Sequence, residues 1–83
     1  MTLDIRVAGP GCKNCQELAA RVHKALEELE VEATVMKVTE FKDIAALGIL
    51  STPGLVINGR TVLQGKLPTV AVVKTLIAEA VRS

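Results

Sequence analysis

From Thr2 to Val7 apolar and polar residues alternate, with Leu3, Ile5 and Val7 on one side and Thr2, Asp4 and Arg6 on the other. That is the period of a β-strand. Ala8-Gly9-Pro10-Gly11 interrupts it, and from Lys13 to about Glu30 the period becomes helical. Leu18, Val22, Leu26 and Leu29 fall on one stripe with Ala25 beside it. Glu17 and Arg21, and Lys24 and Glu28, are opposite charges four apart on the other face, the pattern of a solvated helix surface. Residues 33–38 are β-branched and predict a second strand. Thr39 is expected to cap a short helix over residues 40–47, with Gly48 at its end and Phe41, Ile44 and Leu47 on its buried side.

The clearest local signal is Asn58-Gly59 between Leu55-Val56-Ile57 and Thr61-Val62-Leu63. Both turn residues tolerate positive φ, so the pair specifies a tight antiparallel hairpin. After a connector from Gly65 to Pro68, Thr69 caps a last helix reaching nearly to Arg82, packed through Val73, Leu76, Ile77 and Ala80. Its several valines give it poor intrinsic propensity, so packing has to hold it. The order is βαβαββα, without internal repeats or long linkers. Strands one and two, joined by a helix, should be parallel, and strands three and four form the hairpin. The fold class is therefore α/β, a four-stranded mixed sheet with flanking helices. Asp4 and Arg6 stand on a strand expected at the sheet centre, so either one sheet face is thinly covered or a partner covers it.

With 83 residues the chain is expected to form one domain, residues 1–83. Nearly half of the residues are hydrophobic, yet Phe41 is the only aromatic, so the core has to be aliphatic. A formal charge of +1 leaves no electrostatic footprint for nucleic acid or an anionic membrane. No apolar stretch approaches the roughly 20 residues that span a bilayer, and the polar N-terminus does not resemble a signal peptide, which points to a cytoplasmic protein.

The two cysteines, Cys12 and Cys15, form a single C-x-x-C that opens the first helix. In a reducing compartment such a pair is catalytic or metal-binding more often than a structural staple. A helix start favours a thiolate, because orphan amides and the positive end of the dipole converge there. Lys13 adds a nearby positive charge, so Cys12 should titrate below the ordinary thiol range. Cys15, one turn inward, should be less exposed and less acidic. The pair can run a two-step exchange needing no cofactor: Cys12 attacks a disulfide, and Cys15 then resolves the mixed disulfide. The same two thiolates also suit Cu(I) or Zn(II), as in a metallochaperone. A non-catalytic adaptor using the exposed sheet face is a third class. His23 lies about 12 Å along the helix axis from Cys15, too far to share a metal within one molecule, and reads as a solvent-facing residue.

The element order, the C-x-x-C at the first strand–helix junction and Ser51-Thr52-Pro53-Gly54 before the third strand together resemble the thioredoxin/glutaredoxin fold. G-x-G-C-x-x-C and T-P-G resemble, more narrowly, the short archaeal and bacterial thioredoxin-like redox-active disulfide proteins. The resemblance implies a thiol–disulfide oxidoreductase and electron carrier, with Pro53 in cis facing the cysteines. It further implies that Thr52 and Pro53, with Gly11 and Lys13, contact the substrate. The implied partners are a protein disulfide and an upstream reductase. Glutathione is disfavoured, because the tyrosine within the motif and the later Gly-Gly-x-Asp signature are missing. The chain also departs from thioredoxins in having Pro10-Gly11 before the first cysteine and Lys13-Asn14 between the two. Metal carriage fits the order less well, since copper-chaperone domains run βαββαβ and end in a strand. They also usually carry a methionine where this chain has Pro10.

Overall fold

The alternation at the N-terminus becomes β1 (Leu3–Ala8), and the helical stripe becomes α1 (Lys13–Leu29). There follow β2 (Ala33–Val38), α2 (Phe41–Ala46), β3 (Gly54–Ile57), β4 (Arg60–Gln64) and α3 (Val70–Arg82). The structure is a computed structural model and describes residues 2–11 and 13–82. Met1, Cys12 and Ser83 lie outside the described residues.

The strands form one mixed sheet in the order β2-β1-β3-β4. β1 is parallel to β2, with Leu3 opposite Ala33 and Ala8 opposite Val38, and antiparallel to β3, with Ile5 opposite Ile57. The β3–β4 hairpin turns at Asn58 and Gly59, whose φ angles of 52° and 81° are those of the expected tight turn. Asn58 also closes the far end of the sheet. Its backbone N–H donates to Asp4 O at 2.7 Å, and its side-chain Oδ1 accepts from the Asp4 N–H at 3.0 Å.

The two sheet faces differ. Leu3, Ile5, Val7, Leu55 and Ile57 point to the α1 and α3 side, where they pack with Leu18, Val22, Ala25, Leu26, Val73 and Ile77. On the other face α2 covers one end only, and Ala8, Val56, Ile44 and Ile49 form a small separate cluster there. The remainder of that face carries Asp4 and Arg6. They pair with each other at 3.4 Å and keep side-chain exposures of 47% and 40%. Of the two explanations for charges on a central strand, thin cover is what the chain itself shows: the pair meets water.

The helix ends follow local chemistry with two corrections. Thr69 caps α3 as expected, its Oγ1 accepting the Val72 N–H at 3.2 Å. Thr39 does not cap α2. The residue at that cap is Glu40, and no side-chain bond is made there. Phe41, expected on the buried side of α2, is 75% exposed, while Ile44 is buried and Leu47 half-buried. A helix of six residues has room for one inward turn, and Ile44 with the following Ile49 takes it. Gly48, at φ 79°, ends α2: its N–H reaches Ala45 O, and the Ile49 N–H reaches Ile44 O. The same two-bond closure ends α1, where Glu30 at φ 54° takes the position glycine usually fills.

Candidate functional site

The site lies where β1 ends. Ala8 closes the strand, Gly9 holds the backbone to β2 through its N–H donated to Val38 O at 2.8 Å, and α1 starts four residues later. Two glycines in this loop serve different needs. Gly11 has φ 91° with open space around it, so its requirement is conformational. Gly9 lies outside the left-handed region, and its requirement is space. A Cβ built on it would collide with Cys15 Sγ and stand 2.9 Å from Cys15 Cβ, with Thr52 Cβ at 3.8 Å. The backbone of Gly9 therefore sits directly against the Cys15 side chain and beside Thr52.

Cys15 occupies the first turn of α1 and is 5% exposed. Cys12, expected to be the outer and attacking thiol, lies outside the described residues. Its sequence neighbours Gly11 and Lys13 are both exposed. The first turn of α1 contains no acidic residue, so no carboxylate offsets the positive end of the helix. The Gln16 side-chain amide donates to Gly11 O at 3.1 Å and ties the loop to the helix. A crevice of about 20 Å³ opens on Cys15 between Val7, Gly9, Gly11, Gln16, Lys37 and Thr39. That is close to the space one water requires.

The second wall of the site is the segment after α2. The Thr52–Pro53 peptide bond is cis. Pro53 is buried and Thr52 exposed. Three contacts hold this segment in place. The Gly65 N–H donates to Pro53 O at 2.9 Å, the Leu50 N–H donates to Gln64 Oε1 at 2.9 Å, and Gly54 lies so close to Ile49 that an added Cβ would be 2.8 Å from its Cδ1. The end of β4 and the small apolar cluster thus fix a wall that reaches Cys15 through Gly9.

Of the residues singled out in the sequence, Gly11 and Cys15 border one crevice, and Thr52 meets Gly9 beside Cys15. Lys13 faces solvent and does not line the crevice, and His23 is exposed further along α1. Gly9 and Lys37 were not foreseen as part of the site. A glycine immediately after a strand signals a close approach of something to the backbone, which is the sign Gly9 carried. Lys37 reads as an ordinary strand residue, and nothing local distinguishes it. A larger groove of about 470 Å³ lies at the opposite end, between the hairpin and α3, lined by Asn58, Arg60, Leu76 and Glu79 among others. It contains none of the expected site residues. No helix among the described residues is long and apolar enough to cross a membrane.

Comparison with known proteins agrees with this architecture. A family model described as Thioredoxin domain matches residues 3–78. A thioredoxin of Methanocaldococcus jannaschii is 39% identical over 70 residues, covering 84% of this chain and 80% of that protein. A thioredoxin of Methanothermobacter thermautotrophicus is 29% identical over 76 residues, covering 92% and 99%. With its four-stranded mixed sheet, its flanking helices and a family match over nearly its whole length, the chain belongs to the thioredoxin family.

Proposed function

We propose that this chain is a thiol–disulfide oxidoreductase that works through Cys12 and Cys15 on protein disulfides, drawing electrons from an upstream reductase. The observation that carries the reading is the seat of Cys15: a nearly buried cysteine sulfur in the first turn of a helix without first-turn carboxylates, beside the Thr52–Pro53 wall. Family membership and the thioredoxin relatives support the same reaction class.

The chemistry runs in two steps. Cys12, next to the exposed Lys13 and at the start of α1, attacks the substrate disulfide and expels one thiolate. Cys15 then attacks the Cys12 sulfur, the second thiolate leaves, and a Cys12–Cys15 disulfide remains. Substrate disulfide is reduced and the protein dithiol oxidised, two electrons passing from one to the other. Thr52 is exposed while Pro53 is anchored, so Thr52 presents its backbone to an extended substrate segment, with Gly11 on the opposite rim. Among the described residues the crevice at Cys15 has room for about one water, which suits a macromolecular substrate whose disulfide approaches from outside. A reducing cytoplasm is the compartment in which this cycle turns over.

Trapping tests the reading. Cys12→Ser should abolish exchange with an insulin-type protein disulfide, and Cys15→Ser should accumulate a mixed disulfide with the substrate, visible by mass spectrometry. Stoichiometric binding of Cu(I) or Zn(II), with no exchange by the wild-type protein, would replace this reading with soft-metal binding by the same pair.

A further inference from the structure

We infer that Gly9 is a positioning residue for the second half of the exchange: its missing side chain forms the seat of the Cys15 sulfur. The assignment rests on the disulfide-exchange reading above and adds a residue to it.

The geometry is direct. Gly9 is buried and its φ lies outside the left-handed region, so no positive φ calls for a glycine here. What Gly9 alone provides is room. The first atom of any side chain there would overlap Cys15 Sγ and stand 2.9 Å from Cys15 Cβ, closer than real Cβ contacts come. Neither partner has an easy way to yield. Gly9 is held to β2 by its bond to Val38 O, and Cys15 is embedded in the first turn of α1 between Gly9 and the core. On the third side Thr52 Cβ is 3.8 Å away, in ordinary contact, so a methyl group gains no space by leaning towards the Pro53 wall. Relief therefore has to come from moving the Cys15 sulfur.

Such a displacement acts on one step only. In the first step the Cys12 thiolate bonds to a substrate sulfur and a thiolate leaves. Cys15 takes no part. In the second, the Cys15 sulfur forms its bond to the Cys12 sulfur while the bond from Cys12 to the substrate breaks, and the Cys15 proton passes to solvent. That attack is intramolecular, and its rate depends on how the two sulfurs are held. Misplacement by about 1 Å slows such steps by up to about 100-fold. Gly11 is a contrast within the same loop: apart from its chain neighbours nothing lies within 4 Å of its added Cβ, and its φ of 91° makes its requirement conformational.

The experiment is a stopped-flow reaction of the pre-reduced protein with the chromogenic disulfide of thionitrobenzoate, which releases one coloured thiolate per step. The wild-type protein should release two equivalents in two phases. Gly9→Ala should leave the first phase within about twofold and slow the second about 10- to 100-fold, with the Cys12–thionitrobenzoate adduct accumulating in the mass spectrum. An unchanged second phase, or equal slowing of both phases, would overturn the assignment, since a merely structural lesion does not separate them. A wild-type protein that forms no intramolecular disulfide removes the exchange reading itself, and this inference with it. Should Gly9→Ala not fold, Gly9→Ala with Cys15→Gly decides the matter. Stability equal to that of Cys15→Gly alone supports the seat, and failure to fold again refutes it.

Discussion

The two faces of the sheet are built to different standards. Beneath α1 and α3, five strand residues and seven helix residues interlock in a continuous aliphatic core whose members are all buried. Beneath α2 there are four buried residues at one end of the sheet, and next to them a charged pair open to water. The thin face adjoins the wall of the candidate site, because Ile49 packs on Gly54 immediately after Pro53. Stability and placement are thus carried by different clusters. The large one holds the domain together, and the small one aims a loop.

Three substitutions put that division to the test, the strongest first. Leu18→Ala empties a fully buried position in the large core and should cost about 2–5 kcal/mol in urea unfolding. Assayed well below its melting temperature, it should leave the exchange rate unchanged. Ile49→Ala, in the smaller cluster, should cost about 2 kcal/mol, the low end of the range for a buried isoleucine. It should nevertheless slow exchange several-fold, because it frees the segment that presents Thr52. Reversal of that ranking in activity would show that the two clusters do not divide the work. Asp4→Asn should cost less than about 0.5 kcal/mol, the range of an exposed ion pair screened by solvent. A markedly larger loss would mean that this face is covered in solution.

Much of the architecture was legible because its signals are local. The alternation in β1, the stripe of α1, the Asn58-Gly59 turn and the Thr69 cap each depend on residues within a few positions of one another. Expectations failed where locality ended. Phe41 matched a three-residue spacing with Ile44, but a helix of six residues over one end of a sheet buries a single position, so the aromatic ring remained outside. Thr39 has the chemistry of a cap, yet the chain enters α2 one residue later with Glu40 extended at the cap. Cys15 could be placed at the helix start from its spacing alone. What surrounds it could not, because Lys37, Thr39 and Thr52 come from other segments.

The amino-acid sequence by itself determined the order of the elements, the pairing of the hairpin and the position of Cys15 where a strand gives way to a helix. Hydrophobic period, turn chemistry and capping act over a few bonds and need no distant partner. Only the tertiary structure decided that Asp4 and Arg6 face water, that the residue after a cis proline rests on Ile49, and that Gly9 is required for its emptiness. Those outcomes depend on how closely separate segments approach, and closest approach is a property of the packed chain.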